Sequence, residues 1–300
     1  MNTIRKIQNQ SYPDLLTSLE LIKPITWFPP MWAFLCGAIS TGIISVNNLH
    51  LIGLGIFLAG PIVCGMSQAA NDWCDRHVDA INEPNRPIPS GRMPEKWGLS
   101  IAIFMSIMSL IIGWFLGIWG FVATILGVVC AWAYSAEPIR LKKSGVWGPL
   151  LVALCYEGLP WFTGAAVLSV GLPSSETIII AALYALGAFG IMTLNDFKAV
   201  EGDREMGVKS LPVVIGEDSA ARLACAAMIV PQMMVVGLLF YWNLSGYGLI
   251  IAGSLILQAL AMTRLLKNPI RFTPWYNATG VTLYVCGMMV SAVAISSRLT

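Results

Sequence analysis

Charge is scarce in this chain. Of its 300 residues only 11% are Asp, Glu, Lys or Arg, against about 25% in soluble domains. No charged residue occurs from 24 to 71, from 97 to 136 or from 223 to 263, which excludes a water-facing surface along those stretches. Histidine is limited to His50 and His77, so histidine-based acid–base machinery has little to draw on. The seven cysteines form no CxxC pair, and all but Cys74 lie in apolar runs. They read as buried packing residues in a reducing setting, not as a thiolate metal site or a disulfide framework. Nothing near the start resembles a cleaved signal peptide, because Arg5 and Lys6 lead into the polar run Gln8–Ser11 in place of an apolar core.

What is present is apolar sequence, 56% of the chain. A helix needs about 20 apolar residues to cross a bilayer, and nine segments qualify: 25–45, 50–70, 97–115, 117–135, 146–168, 177–195, 222–242, 246–265 and 275–296. The runs are continuous instead of alternating, and lipid admits only helices or closed barrels. The expected fold is therefore all-α, a polytopic membrane protein with a bundle of nine transmembrane helices in a single domain over 1–300. Residues 1–23 form an N-terminal segment, in which 13–23 is either a short interfacial helix or a plain tether. The loops after the second, fourth, sixth and eighth segments, with the N-terminal segment and Arg264, hold all Lys and Arg except Arg298. Such an excess marks the cytoplasmic side, so the N-terminus is expected there.

Two of those loops echo each other. The second segment exits into NDWCDRHVDAINEPNRPIPSGR from Asn71, and the sixth into NDFKAVEGDREMGVKSLP from Asn195. Each begins Asn-Asp and places another Asp seven residues after the first, at Asp72 and Asp79 and at Asp196 and Asp203. If the first helix continues, Asp72, Asp75 and Asp79 share one face, where three carboxylates repel unless a cation holds them. Mg²⁺ takes one or two carboxylates together with substrate phosphates, and Arg86, Arg140, Lys142, Lys143, Lys198 and Arg204 are at hand for the remaining phosphate charge. The bland alternative, that loops merely collect solvated acids, explains one cluster better than two with the same start, spacing and side. A diphosphate with an apolar tail suits such a bundle, its head at the loops and its tail between helices. Tyr134, Trp132 and Trp73 are aromatic candidates for steadying an allylic cation.

The motif at Asn71, Asp72, Asp75 and Asp79, the second at Asn195, Asp196 and Asp203, and the segment YSAEPIRLKK from Tyr134 together resemble the UbiA-type intramembrane prenyltransferases. The strings DAINEPNRPIPSG and DFKAVEGDREMGVKSLPVVIG resemble the chlorophyll synthase branch, and WFPPMWAFLCGAIS and PWYNATGVTLYV are most like its bacteriochlorophyll-forming members. The resemblance implies transfer of a geranylgeranyl or phytyl group from its diphosphate to the propionate of bacteriochlorophyllide, with Mg²⁺ as cofactor. It implies that Asn71, Asp72, Asp75 and Asp79 hold one metal and the diphosphate, and that Asp196 and Asp203 hold a second metal. Arg86, Arg140, Lys142 and Lys198 would contact the diphosphate, with Tyr134 and Asn195 also in the substrate site. It allows membrane lipid and pigment–protein assembly factors as partners and gives nucleic acid no role. One departure stands at Ala199, where many members carry an acid; either Glu201 takes that place or the second metal is held less firmly. The chlorophyll synthase branch commonly has a small residue there.

Other readings are a quinone-precursor or haem acceptor on the same architecture, a pigment carrier, or a Mg²⁺ transporter. Transporters place ionisable groups near the midplane, whereas these acids crowd one surface. Glu157, the one acid well inside a segment, either serves the site or sits protonated and hydrogen-bonded. His77 is either a ligand to the pigment's central metal or a loop residue.

Overall fold

The structure, a computed structural model, describes residues 12–205 and 207–299; the Arg5–Ser11 reading lies outside them. Helix α1 (Leu15–Ile22) starts where the Asp14 carboxylate accepts the Thr17 amide at 2.8 Å, satisfying a donor the helix itself leaves unpaired. Its Thr17 and Leu21 are buried, while Leu15 and Leu16 are more than 70% exposed, so most of the 13–23 segment is helical, with one side packed on the protein. Helix α2 (Phe28–Ser40) follows, then α3 (Val46–Asn82), α4 (Glu95–Phe115), α5 (Gly117–Ser135), α6 (Trp147–Ser169) and α7 (Ser175–Lys198). Two short helices, α8 (Val200–Glu205) and α9 (Leu211–Ile215), lead into α10 (Glu217–Tyr241), α11 (Ser245–Leu265) and α12 (Pro269–Leu299). No strand occurs among the described residues; one isolated bridge joins Ser144 to Lys209.

Eight of these helices, α3 to α7 and α10 to α12, are long and apolar enough to cross a membrane. The ninth expected span, 25–45, is present only as the 13-residue α2. The prolines at 29 and 30 sit in its first turn, where a missing N–H costs nothing, and the chain leaves the helix at Thr41 with Gly42 at φ 72°. At 1.5 Å per residue α2 covers about 20 Å, short of a bilayer core of about 30 Å. The outward faces of α4 and α5 show Phe104, Ile107, Ile111, Val122, Leu126 and Val129 to the surroundings, as a lipid-facing surface requires. The chain is a multi-pass membrane protein.

Backbones approach closely where α2 crosses α6. A Cβ on Gly37 would lie 1.9 Å from the Trp161 carbonyl oxygen, and one on Gly164 would lie 2.1 Å from that of Phe34. Small residues permit this kind of crossing inside lipid, where dispersion between tightly packed helices replaces the hydrophobic drive. Elsewhere α7 packs on α10, and α11 on α12. Gln232 and Gln258 exchange amide hydrogen bonds of 3.0 Å between α10 and α11.

Two helices carry wide π turns, Leu58–Cys64 within α3 and Leu154–Gly158 within α6. The first surrounds Pro61, which cannot donate to the ladder. Such bulges re-aim the side chains around them and concentrate at functional sites.

Candidate functional site

Helix α3 runs without a break from the apolar interior to Asn82, so the first acid motif is helical, as its spacing requires. Its 37 residues measure about 55 Å, far beyond the bilayer core, and the last turns stand at one end of the bundle. Along its inner face Cys64, Gln68, Asn71, Asp75, Asp79 and Asn82 recur at three- and four-residue steps, and all line one cavity of about 1660 Å³. The second motif is built differently. Helix α7 tightens into a 3₁₀ turn at Asp196–Lys198 and breaks at Ala199 (φ −118°, ψ 6°) before α8 carries Asp203. The seven-residue spacing there bridges two pieces instead of following one helix face.

The two motifs nevertheless meet. Asn195, Asp196, Lys198 and Asp203 line the same cavity as Asn71, Asp75 and Asp79, together with Arg86, Tyr134, Arg140 and Lys142. Of the residues expected to hold metal or substrate, only Asp72 lies behind the wall, 1% exposed. Tyr134, at the end of α5, lines the cavity together with Asp75, Asp196 and Asp203. Glu201, the candidate stand-in at the Ala199 position, also lines the cavity.

Charge pairing is lopsided. Asp72 Oδ1 takes the Lys23 ammonium at 2.7 Å and Arg86 Nη1 at 3.4 Å, and Arg86 Nη1 reaches Asp79 Oδ2 at 2.7 Å. Asp75 is bound by Arg140 Nη2 at 2.9 Å and by Lys142. Among the described residues neither Asp196 nor Asp203 takes part in an ion pair. Burial pushes the Asp203 carboxyl up from its ordinary value. Burial also pulls the Lys142 ammonium down, against the opposing charge of Asp75. An additional anion beside Lys142 and a cation beside Asp203 would each relieve that cost.

No three His, Cys, Asp or Glu side chains among the described residues lie close enough to hold a metal ion as they stand. The carboxylates of the first motif are held apart by the protein's own cations, an arrangement that residue spacing does not reveal. The donor set still suits a hard divalent cation: it consists of oxygens, all its members but Asp72 line one cavity, and Asp72 Oδ2 behind that wall is buried with no hydrogen-bond partner.

Several participants carry no sequence signal. Lys23 counts in the sequence only toward the charge bias, yet it reaches a motif aspartate 49 residues away. Lys23 and Arg140 both hold left-handed backbones, φ 43° and 37°, a strained state for a side-chain-bearing residue that persists where the surroundings enforce it. Asn277 of α12 lines the cavity and donates to Asn195 Oδ1 at 3.5 Å. Gly145 lets the basic loop dock on the second acidic loop: its amide donates to the Lys209 carbonyl at 2.8 Å, and a Cβ there would lie 2.5 Å from Lys209 O and Leu211 N.

Other candidates fall away from the site. Trp132 donates to Ser106 Oγ at 3.1 Å, Trp73 carries the Arg76 guanidinium 4.6 Å above its ring, and neither lines the cavity. His77 is exposed on the outer side of α3. Glu157 is 4% exposed in the packed side of α6 against α2 and α7, off the cavity wall.

The chain is similar to known proteins over nearly its whole length. It is 61% identical over 295 residues to the bacteriochlorophyll synthase 33 kDa chain of Cereibacter sphaeroides, covering 98% of each. It is 59% identical to that of Rhodobacter capsulatus, covering 95% of each. Its fold matches the structure of a UbiA homolog from Archaeoglobus fulgidus bound to DMAPP and Mg²⁺, with TM-score 0.67, 18% identity and coverage of 92% of this chain and 99% of that one. The profile of the UbiA prenyltransferase family matches residues 26–278. The chain belongs to the UbiA prenyltransferase family.

Proposed function

We propose that the protein is a bacteriochlorophyll synthase, transferring a geranylgeranyl or phytyl group from its diphosphate to the propionate carboxylate of bacteriochlorophyllide. The observation that carries the reading is one cavity with acids and cations at its mouth and an apolar chamber beneath, lined by Phe34, Leu58, Val63, Leu159 and Ile191. Pockets for a single small ligand measure about 300–1,000 Å³; a cavity of about 1660 Å³ has room for two substrates. The identity of the acceptor rests on the relatives named above.

Each residue has a definable task. Arg86, Arg140, Lys142 and Lys198 would bind the diphosphate, while Asn71, Asp72, Asp75, Asp79, Asp196 and Asp203 would hold Mg²⁺. Mg²⁺ bound there supplies positive charge to the leaving diphosphate. With Mg²⁺ held there, Asp72 would give up its pairing with Lys23 and Arg86, and Arg86 would be left to meet the diphosphate. The bond from C1 of the prenyl group to the diphosphate oxygen breaks with its electron pair leaving on that oxygen, and a carboxylate oxygen of the acceptor bonds to C1. Tyr134 faces the charge that develops between the clusters. The chamber keeps water from C1. A propionate with a pKa near 4 is already ionised at neutral pH, so no general base is needed, in keeping with the poverty in histidine. The end of the bundle that bears both motifs is then the cytoplasmic one, and residues 1–300 act as one prenyltransferase domain.

Incubating the purified protein and Mg²⁺ with bacteriochlorophyllide a, protohaem, 4-hydroxybenzoate and both prenyl diphosphates tests the reading. Mass spectrometry should find prenylated bacteriochlorophyllide; prenylated hydroxybenzoate or haem as the sole product would overturn it. Gly145→Val should lower kcat/KM for the prenyl diphosphate by about 10²-fold, the cost of displacing positioning groups by about an ångström. Steady-state kinetics at varied diphosphate concentration measures it.

A further inference from the structure

We propose that Tyr156 and Gln68 form the seat for the acceptor's carboxylate. This rests on the reading of the cavity as a prenyl-transfer chamber and extends it to the second substrate. Tyr156 of α6 and Gln68 of α3 both line the cavity, and Gln68 Nε2 donates to the Tyr156 hydroxyl at 3.2 Å. Cys64 Sγ lies 3.4 Å from the same oxygen and 3.4 Å from the Thr26 carbonyl oxygen, which competes for its one proton. With its oxygen taking the Gln68 N–H, the phenol has its own proton to give, and Gln68 keeps a second N–H.

Depth favours this assignment. Gln68 stands seven residues before Asp75 on the same face of α3, about 10 Å deeper along the axis. A diphosphate held at the acids directs its apolar tail down that face, so C1 lies between the two levels. An attacking oxygen must come within about 3–3.5 Å of C1, which places the acceptor's carboxylate in the band between Asn71 and Gln68.

Four of the chamber's other hydroxyls are already committed. Those of Thr26, Ser67, Thr124 and Thr163 donate to the carbonyls of Lys23, Cys64, Gly120 and Leu159 at 2.6–2.8 Å. An ionised carboxylate entering an apolar chamber must find donors there, and charge-assisted hydrogen bonds are the strong ones. Tyr156 and Gln68 are the pair positioned to give them. Both π turns converge on this point, since Cys64 ends one and Tyr156 lies in the other. The two departures from α-helical geometry on opposite walls thus meet at the polar contact.

The test titrates bacteriochlorophyllide and its propionate methyl ester into the detergent-solubilised protein without prenyl diphosphate, following pigment fluorescence, alongside a wild-type turnover assay. Wild type should favour the acid over the ester by about tenfold or more, the worth of a hydrogen bond to a charged group. Tyr156→Phe should bring the ratio close to one, and Gln68→Leu should lower it. The ratio is taken within each protein, so loss of folded material does not imitate the effect. In turnover, KM for the pigment should rise about tenfold in Tyr156→Phe, with KM for the prenyl diphosphate unchanged. Wild-type ratios retained in both variants would overturn the assignment while leaving the prenyl-transfer reading intact. A wild type that esterifies no tetrapyrrole acid would overturn that reading, and this assignment with it.

Discussion

Asp196→Asn should lower prenyl transfer by about 10³-fold while leaving the thermal midpoint of the protein unchanged or slightly raised. The substitution keeps the shape of the side chain and removes one charge from the metal-binding set. Charge stabilisation of a leaving group is worth several kcal/mol, and about 4 kcal/mol corresponds to about 10³ in rate. Stability should not suffer, because Asp196 takes part in no ion pair among the described residues and a partly buried, unpaired carboxylate costs folding energy. Asp72→Asn separates the two effects. It should also abolish turnover, but it strips charge from the shared partner of Lys23 and Arg86. Both cations keep some contact with solvent, at 25% and 29% exposure, so the loss should be about 2–3 kcal/mol, below that of a fully buried pair. Product formation and thermal unfolding measured on both variants check this contrast; turnover retained in both would remove the metal assignment.

Gly164→Leu should prevent accumulation of folded protein altogether. The first added carbon falls 2.1 Å from the Phe34 carbonyl oxygen and 3.0 Å from the Ala38 amide nitrogen, both backbone atoms that cannot rotate away. Separating α2 from α6 by the width of a side chain sacrifices the contacts along the crossing, a loss of more than about 4 kcal/mol. It would also move the π turn at Leu154–Gly158, and with it Tyr156. Gly53→Leu is the matched control, because nothing lies within 4 Å of a Cβ there. Size-exclusion profiles of the two variants should differ completely; a monodisperse Gly164→Leu protein with wild-type stability would contradict the packing account.

The legibility of the molecule follows from which features repeat. Continuous apolar runs revealed the helices, and the three- and four-residue recurrence through Asn71, Asp75 and Asp79 revealed a helical face. The similar spacing at Asp196 and Asp203 said less than it implied, because the break at Ala199 depends on how the following loop docks through Gly145 and Lys209. The brevity of α2 was hidden by apolar residues that continue past its end. Lys23, Gln68, Tyr156 and Asn277 are single polar residues in or beside apolar stretches, and nothing in their neighbourhood distinguishes a cavity wall from a packed interior. The pairing of motif acids with four cations is wholly tertiary. It is also why the acids look like a ready cation cage in the sequence and stand apart in the structure.

Because one continuous helix, π turn included, supplies both the acid-bearing rim and part of the apolar chamber, α3 would act as a ruler in the proposed reaction. Seventeen positions separate Leu58 from Asp75, roughly 25 Å of stiff rod. The vertical distance between where a head group is gripped and where a tail ends therefore does not stretch with substrate. Any fit to a longer or shorter tail must then come from elements other than this helix.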